Sequence, residues 1–410
     1  MRAAPLSAIR RLVEPVSSWT PERDDPDGVF TYIDLSAVDQ NDKIIVGARE
    51  IVCVEAPSRA RQVVREGDIL VSTVRPNLNA VARVPSELDG ATASTGFCVL
   101  RPKVGQLDGQ YLYQWVKSPG FVSDMVRKAT GASYPAVSDR IFYESQMPLP
   151  PLPEQRRIAT ILDKADELRV KRRAALAKLD TLTQSIFLNM FGDPATNPKG
   201  WPIKTLSEFY VNQEEGTKCG PFGSALKKNE LESDGVPVWN MDNIDPSGRM
   251  VLPFRMWISE SKYRELEAYT VANGDVIVSR AGTVGKMCVV STSGVRSIIS
   301  TNLIRLRFGP DLLPLYFVSL MTYCKGRVGR LKTGADGALT HMNTGILDTL
   351  KLPYPPLEIQ REFVVIIESI ERQKSRHATQ LAEIEMLFTT LQHRAFRGEL
   401  ISESRCESTE

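Results

Sequence analysis

A proline-rich segment that occurs twice is the feature that most constrains the fold of this chain. The sequence "PLPPLPEQRRIA" begins at Pro148 and "PYPPLEIQREFV" begins at Pro353, an offset of 205 residues. Three other pairs recur in the same order at offsets of 206 or 207: "YIDLSAVDQ" with "VWNMDNIDP", "GDILVS" with "GDVIVS", and "STGFCVLR" with "STNLIRLR". A period this long indicates two duplicated domains rather than a solenoid.

The size and composition of the chain fit a protein of two or more domains. Its 410 residues exceed what one compact core usually holds. The net charge is only +2, which neither indicates nor excludes nucleic acid because local patches matter more than the sum. The six cysteines form no C-x-x-C pair, and no signal peptide or long apolar run is apparent. These features predict a cytoplasmic protein with reduced thiols and no zinc site.

Each proline-rich segment is expected to start a long helix. Proline pre-sets φ and is tolerated at the first helical turn, and an acidic residue follows near the positive end of the helix dipole. Apolar residues then recur in steps of three and four over about four heptads, from Ile158 to Ile186. Arg172 occupies the one skipped position. Such a narrow apolar stripe predicts that the helix packs against another long helix.

The second long helix is predicted to be its partner. Its apolar pattern runs from Phe363 to Ala395 around a polar middle that includes His377. Because each helix follows its own domain, the two helices can pair in antiparallel orientation. Counting from Leu152 to Phe187 and from Leu357 to Phe396 predicts that the second helix is about one turn longer, or contains a stutter.

The predicted fold class is α/β, in the broad sense of a mixed α+β protein. Two duplicated domains are separated by two long antiparallel coiled-coil helices and related by a pseudo-two-fold axis. The glycines and prolines of "FGDPATNPKGWP" break the first helix and mark a boundary. The predicted segments are the first domain (1–150), first long helix (151–191), linker (192–202), second domain (203–352), second long helix (353–398) and flexible tail (399–410).

Known catalytic motifs are missing from the sequence. "GTVGKM" at Gly282 resembles a phosphate-binding loop, but its glycines are too close together and Met287 stands where Ser or Thr is needed. We find no dinucleotide-binding fingerprint, zinc-protease motif or nucleophile elbow. Only three histidines are present, so histidine-based catalysis is poorly supplied. The sequence therefore favours a binding protein.

Glycine-rich loops with basic residues are the best candidates for a binding site in the second domain. "KCGPFGSALKKNE" and "SRAGTVGK" combine basic side chains with glycines that let backbone N–H groups approach a phosphate. Arg is suited to guanine and Asn to adenine. An ordinary Gly-Pro turn explains the first loop about equally well, a single Arg is weak evidence, and a turn is the commoner explanation of the two asparagines. The candidates are Gly223, Ser224, Lys227, Lys228, Asn240, Asn243, Arg280, Thr283, Lys286 and, in the late loop "TGADGALTHMNTG", His341.

Two loops of the first domain occupy equivalent places. "TVRPNLNAV" matches the position of Arg280, and "TGASYPAVSDR" precedes the first proline-rich segment. The two domains share a frame but differ in these loops, which is expected if each reads a different short ligand of the same class. The candidates here are Arg75, Asn77, Asn79, Ser133, Tyr134 and Arg140.

The ordered set of motifs resembles the specificity (S) subunit of type I restriction–modification systems over nearly the whole chain. The resemblance rests on "YIDLSAVD", "GDILVSTVRPNLNAVARV", "PLPPLPEQRRIATILDKAD" and "LTQSIFLNMFGDP" in the first half. In the second half it rests on "GPFGSALKK", "GDVIVSRAGTVGK", "STNLIRLR", "PYPPLEIQREFV" and "LQHRAFRGEL". One departure is "SSWTPERDDPDG", which stands where the first half should have a counterpart of "GPFGSALKK".

The resemblance implies that each domain is a target-recognition domain for one half of a split double-stranded DNA sequence. The helices would space the halves and dock two methyltransferase (M) subunits, which bind S-adenosylmethionine. ATP and Mg would bind to restriction/translocase (R) subunits, so this chain would hold no cofactor or metal and no catalytic residue. Two alternatives remain: a stand-alone two-site DNA-binding regulator, for which a charge of +2 is small, and a divergent DNA methyltransferase or nuclease.

Overall fold

The chain forms two compact units in a computed structural model. The structure describes residues 4–222, 225–245, 248–280, 284–323 and 342–400. The first unit comprises Met1–Ala175 and His377–Glu410, and the second comprises Leu176–Arg376. Each unit therefore contains one globular region together with part of each long helix.

The first unit is built from two four-stranded sheets and short helices. One sheet has the order β2-β9-β6-β7 and is antiparallel; the other has the order β4-β3-β8-β5, in which β3 and β8 are parallel. The elements are β1 Leu6–Ala8, α1 Ile9–Leu12, β2 Val13–Glu14, α2 Pro21–Asp24, β3 Val29–Ile33, β4 Arg49–Val52, β5 Ala60–Val63, β6 Ile69–Ser72, β7 Val81–Arg83, β8 Thr92–Ser94, β9 Phe97–Pro102, α3 Gly109–Val116, α4 Pro119–Lys128, α5 Asp139–Glu144, β10 Gln146–Pro148 and the first long helix, α6 Leu152–Phe191.

The second unit repeats this plan with smaller sheets. Its sheets have the orders β12-β18-β15-β16 and β14-β13-β17. The elements are β11 Ile203–Thr205, β12 Thr217–Cys219, β13 Val236–Trp239, β14 Trp257–Ile258, α7 Glu260–Glu265, β15 Val276–Ser279, β16 Met287–Val289, β17 Ile298–Ile299, β18 Leu303–Leu306, α8 Pro314–Tyr323, α9 Thr344–Asp348, β19 Lys351–Pro353 and the second long helix, α10 Leu357–Phe396.

The duplication predicted from the sequence is confirmed in the strand pairing. The order β9-β6-β7 in the first unit corresponds to β18-β15-β16 in the second, and β4-β3-β8 corresponds to β14-β13-β17. Even the register is kept, since Ile69 faces Leu100 across one sheet and Val276 faces Leu306 across the other. The central pair β13–β17 is parallel, as is β3–β8. The repeated sequence blocks are therefore the repeated strands.

The two long helices are equal in length, with 40 residues each. The expectation that the second is a turn longer was wrong, because it compared Phe396 with Phe187. The true counterpart of Phe396 is Phe191, 205 residues earlier, which ends the first helix.

The helices pair in antiparallel orientation within each unit. In the first unit, Arg157 near the start of α6 donates to the carbonyl of Leu400, while Arg172 further along α6 contacts His377. The polar residues that interrupt the two apolar patterns therefore meet each other. In the second unit the aromatic ring of Phe191 lies 5.0 Å from that of Phe363.

A buried glutamine holds the start of α6, directly after the first proline-rich segment. The side chain of Gln155 is 1% exposed. Its amide oxygen accepts a hydrogen bond from the backbone N–H of Asp108 at 2.9 Å. Its amide nitrogen donates to the carbonyls of Gln106 at 3.1 Å and Pro150 at 2.9 Å. The helix start is thus hydrogen-bonded to the segment that leads into α3.

The same arrangement holds the start of α10. Gln360 is fully buried. Its amide oxygen accepts from the backbone N–H of Leu313 at 3.0 Å, and its nitrogen donates to the carbonyls of Asp311 at 3.4 Å and Pro355 at 3.0 Å. We call these two sets of bonds the glutamine clamps. They join each globular region to a long helix of the same unit.

Tyrosine hydroxyls and short strands reinforce both joints. The hydroxyl of Tyr111 donates to the carbonyl of Pro148 at 3.0 Å, and that of Tyr316 donates to the carbonyl of Pro353 at 3.1 Å. The residues just before each helix also pair as strands, β10 with β1 and β19 with β11. Each proline-rich segment is therefore a rigid joint, since its carbonyls accept bonds while proline itself has no N–H to satisfy.

Candidate nucleic-acid interface

A strained loop follows strand β6 in the first unit. Arg75 has φ +50° and Asn79 has φ +46°, so two non-glycine residues adopt the left-handed conformation within five positions. Such conformations cost free energy and persist where the surroundings enforce them, often at functional sites. Here the surroundings include the carbonyl of Pro135, which accepts from the backbone N–H of Arg75 at 2.7 Å.

The loop of Arg75 contacts the loop of Tyr134, and the sequence analysis had predicted the two loops as separate candidates. Val74 forms a bridge with Ala136, and the guanidinium of Arg75 lies over the ring of Tyr134, 4.7 Å from its centroid. The Tyr134 side chain is 68% exposed. A cation over an aromatic face at an exposed site stabilises by about 0.5–1 kcal/mol. Arg75 and Tyr134 thus form an exposed pair on the surface of the first unit.

Asparagine side chains in this loop have different environments. Asn77 is exposed, as is Ser133 in the neighbouring loop. Asn79 is partly buried: its amide donates to the carbonyl of Lys117 at 3.4 Å, and its own carbonyl accepts from the ammonium of Lys43. Burial, together with the nearby charge of Lys117, lowers the pKa of Lys43 to about 8. Lys43 and Asn79 therefore shape the loop, and sequence reasoning did not identify Lys43.

Arg140 lies on α5 and pairs with Glu144 one turn further along, at 2.8 Å. Its side chain is 83% exposed. An ion pair at this spacing is the ordinary arrangement on a helix surface and contributes little to stability. Arg140 therefore has a carboxylate partner, whereas Arg75 has an aromatic one.

The second unit has an arginine in the corresponding loop, although not at the same register. Arg280 comes directly after β15, whereas Arg75 lies three residues after β6, and Thr73 is the residue of the first unit that corresponds to Arg280. Its guanidinium lies 4.6 Å from the ring centroid of Phe222, a side chain that is 57% exposed. The Nη1 atom is buried without a hydrogen-bond acceptor in the described part of the chain. A buried donor without a partner costs about 1–3 kcal/mol, more when it is charged.

A close backbone approach sets the loop that carries Phe222. The N–H of Gly220 donates to the carbonyl of Leu303 on β18 at 2.9 Å. A Cβ atom at Gly220 would lie 1.9 Å from the carbonyl oxygen of Ser300, so only glycine fits. The "GPF" part of the motif is therefore needed to lay Phe222 beside Arg280. Phe222 was also not predicted as a candidate, although it lies inside the segment "KCGPFGSALKKNE".

The lysines of the second unit differ in exposure. Lys227 and Lys228 are exposed at the start of a short 3₁₀ helix, Lys228–Glu230, where the carboxylate of Glu230 accepts from the backbone N–H of Lys227 at 2.6 Å. Lys286 is partly buried, and its backbone pairs with Ser279 across the turn that follows β15. The two exposed lysines are free of any ion pair within the described residues and suit a phosphate.

The interpretation of Asn243 as a base-reading residue was wrong. Its side chain is 3% exposed. The amide oxygen accepts from the backbone N–H of Asn240 at 3.0 Å, and the nitrogen donates to the carbonyl of Val251 at 3.0 Å. With both ends of the amide used by the backbone, Asn243 holds a local turn. Asn240 is partly buried and its side-chain oxygen lies 3.5 Å from the hydroxyl of Ser300. Four other candidates, Gly223, Ser224, Thr283 and His341, lie outside the described residues.

Two ion pairs with buried carboxylates, absent from the sequence predictions, hold the strands that precede these loops. Arg101 forms a two-pronged contact with Asp68 at 2.9 and 2.7 Å, and Arg307 forms one with Asp275 at 2.8 and 2.8 Å. The hydrogen bonds that each arginine donates to its carboxylate raise the pKa of that arginine. The signal was available, since the Asp of each "GD" and the Arg that ends each "STGFCVLR" or "STNLIRLR" block recur at matching offsets.

Two further properties of the described residues bear on function. No group of three or more His, Cys, Asp or Glu side chains among them is placed to hold a metal ion. Within the same residues, no helix has both the length and the apolar character needed to cross a bilayer. Cys53, Cys98, Cys219 and Cys288 are free thiols.

Comparison with known proteins identifies the duplicated architecture. The family described as "Type I restriction modification DNA specificity domain" matches residues 32–178 and residues 199–386, one match in each half. The chain belongs to this family. The family membership that the motifs suggested is thereby confirmed, together with the duplicated, mixed α/β fold.

Curated members of the specificity-subunit family are distant in sequence. The chain is 23% identical over 284 residues to the type I restriction enzyme MjaVIII specificity subunit of Methanocaldococcus jannaschii, and 23% identical over 327 residues to the EcoBI specificity subunit of Escherichia coli. These alignments cover 65% and 71% of this chain and 64% and 66% of the relatives. The chain therefore matches slightly under two thirds of the length of each.

Solved structures are similar over nearly the whole chain. One comes from work on complex assembly and conformational transition of the type I R-M system; it has a TM-score of 0.61 and 26% identity, and the match covers 98% of this chain and 99% of the other. Another is the type I restriction–modification S subunit from M. genitalium, with a TM-score of 0.61 and 14% identity, covering 96% of each chain. The second likeness concerns the fold alone.

Proposed function

We propose that this chain is the non-catalytic DNA-sequence-recognition subunit of a type I restriction–modification complex. Each unit reads one half of a bipartite double-stranded DNA site. The observation that carries the proposal is that the same loop of each unit, after the same strand of a duplicated sheet, places an arginine beside an exposed aromatic ring: Arg75 beside Tyr134 and Arg280 beside Phe222. Membership of a DNA specificity family supports it.

Two M subunits and additional R subunits are the protein partners in this proposal. Methylation and cleavage belong to these partners, with S-adenosylmethionine on the M subunits and ATP and Mg on the R subunits, while this chain binds no cofactor. The net charge of +2 fits a subunit that binds DNA together with partner subunits rather than alone. Because the substrate is the DNA of the cell, we also propose a cytoplasmic location.

The long helices are the proposed docking surface for the M subunits. Large apolar side chains are exposed on both helices of the first unit, including Leu168, Val170, Met386 and Leu387, which are 50–66% exposed. Exposed apolar side chains grouped on a surface favour protein–protein contact. We further propose that the lengths of the helices fix the number of unread base pairs between the two half-sites.

The test is a selection of DNA sequences by the full-length chain, purified together with its M subunit. Randomised duplexes bound by the complex are sequenced, and a parallel selection uses the chain alone. We expect two short specified sequences separated by a constant unread spacer. A chimaera in which residues 203–350 come from another family member should change only one of the two half-sites.

Two outcomes would contradict the proposal. If the chimaera changes both half-sites, the units do not read independently. If the chain alone selects the same bipartite site with full affinity, a stand-alone regulator becomes the better description. Methylation by the purified chain without partners would point instead to a divergent methyltransferase.

A further inference from the structure

The arginine–aromatic pairs of the two units have a feature that other such pairs in the chain lack. Arg296 also lies over an aromatic ring, that of Tyr263, at 5.2 Å. Its guanidinium, however, is bound by the Glu260 carboxylate through contacts of 2.7 and 3.1 Å. Within the described residues, the guanidinium groups of Arg75 and Arg280 have an aromatic ring and no carboxylate. No carboxylate of the described residues therefore competes with a ligand for their hydrogen-bond donors, whereas Glu260 occupies those of Arg296.

Several observations indicate that these two arginines are kept for a ligand rather than for stability. Arg75 stands in a left-handed backbone conformation at φ +50°. Arg280 has a buried Nη1 atom without an acceptor in the described structure. Both features are unfavourable in the isolated chain, and such local costs are typical of binding sites. They occur independently, in corresponding loops of the two units.

We propose that Arg75 and Arg280 are the guanine-reading residues of the two half-sites, with Tyr134 and Phe222 as platforms that orient them. This inference rests on the proposed function. A guanidinium lying on a ring keeps its plane fixed, so less conformational freedom is lost when its donors engage an acceptor pair. Guanine offers such a pair, O6 and N7, in the major groove, and Arg is its commonest partner. Each half-site then contains at least one specified G·C pair.

A phosphate contact is the competing explanation for both arginines, and the chemistry of the site argues against it. Lys227 and Lys228 are exposed in the second unit and suit phosphates as flexible point charges. An arginine held flat on a ring has N–H donors with fixed directions, and these bind best to two acceptor atoms that lie in one plane. Contacts to phosphate carry no base preference, so the two explanations predict different results.

The test measures base preference at every position of the selected site. Arg75→Ala, Arg75→Lys, Arg280→Ala and Arg280→Lys are made in the full-length chain, purified with its M subunit and presented with randomised duplexes. Arg127→Ala and Arg296→Ala are the matched controls, because both arginines are exposed and paired with carboxylates, Asp124 and Glu260. We expect each Arg→Ala variant to lose its preference for guanine at one position of one half-site by roughly 5- to 150-fold.

The lysine variants separate a base contact from a phosphate contact. Lysine keeps the charge but lacks the paired donors, so we expect Arg→Lys to lose the guanine preference nearly as completely as Arg→Ala. Tyr134→Ala should weaken the preference at the position read by Arg75 by about 2- to 5-fold, and Tyr134→Phe should retain it. Combining Tyr134→Ala with Arg75→Ala should add nothing further at that position.

Distinct outcomes overturn the inference and the proposed function. If the unaltered complex selects no bipartite site, the proposed function fails and the inference falls with it. If that complex selects a site but Arg75→Ala and Arg280→Ala leave every base preference in place, only the inference fails. The inference is equally overturned if these variants weaken binding uniformly for all sequences and lysine restores it, since that is the behaviour of a phosphate contact.

Discussion

Replacing Gln155 with alanine should destabilise the joint between the first globular region and α6. The Gln155 side chain makes three hydrogen bonds to backbone groups, one accepted from Asp108 and two donated to Gln106 and Pro150. Alanine removes all three and leaves the N–H of Asp108 without this acceptor. Because Gln155 is 1% exposed, the cavity that alanine leaves is closed to bulk solvent, and the freed backbone groups do not regain their partners there.

The magnitude follows from the number of bonds. A neutral hydrogen bond contributes about 0.5–1.5 kcal/mol to stability, so three of them give roughly 3 kcal/mol. A loss of about 3 kcal/mol in the free energy of local opening speeds amide exchange roughly 150-fold when exchange requires that opening. The effect should be confined to the first unit. Gln360→Ala, which removes the equivalent clamp, should have a similar effect confined to the second.

The assay is hydrogen–deuterium exchange of the full-length chain, followed by peptide mass spectrometry over residues 103–116 and 308–321. Gln106→Ala is the matched control, because the Gln106 side chain is exposed and only its backbone carbonyl takes part in the clamp. Gln155→Glu is a second variant, in which a carboxylate oxygen replaces the donating nitrogen and faces two carbonyl oxygens. The reasoning is refuted if Gln155→Ala exchanges no faster over 103–116 than Gln106→Ala.

Three further predictions concern buried charges and thiols. Asp68→Ala leaves Arg101 buried without its carboxylate and should lower the free energy of unfolding by about 3–5 kcal/mol, measured by urea denaturation. The double variant Asp68→Leu with Arg101→Met should recover that stability. A double variant as unstable as Asp68→Ala would contradict the ion-pair explanation. Burial lowers the pKa of Lys43 to about 8 in the folded state. Between about pH 8 and 10.5 the unfolded state therefore binds more protons than the folded state, and the free energy of unfolding rises with pH. Lys43→Met should lack this rise. Burial raises the pKa of Cys288 to about 12, so iodoacetamide at pH 8 should label its peptide only after denaturation.

Much of the fold could be predicted because the chain repeats itself. Two copies of each motif at one offset fix which strands correspond, and a proline-rich start followed by an apolar stripe fixes where each long helix begins. The end of a helix is harder to predict from such a stripe. Phe187 and Phe191 both pack against Phe363, so these contacts do not mark the last turn. The helix ends at Phe191, and the next residue, Gly192, leaves the helical conformation with φ +76°.

The candidate site was predictable only in part, because local sequence does not encode long-range contacts. Arg75 and Arg280 were identified from their place at the end of a strand. Their aromatic partners were not, since the pairing of Arg75 with Tyr134 depends on two loops that lie about 60 residues apart. Asn243 illustrates the opposite error. An Asn three residues after Asn240 fits a helix-start hydrogen bond as well as a base contact, and the structure has the former.

The two units place an arginine in the same loop but differ in its register and in the source of its ring. Tyr134 comes from the loop before the first proline-rich segment, whereas Phe222 comes from the loop after β12, a segment with no counterpart in the first half. The strand before each arginine is held by a corresponding ion pair with a buried carboxylate, Asp68 with Arg101 and Asp275 with Arg307. A ring that approaches from a different loop orients the guanidinium differently on an otherwise common frame. If the two arginines read bases as proposed, this combination of a common frame with variable loops accounts for two different half-sites without a change in the core.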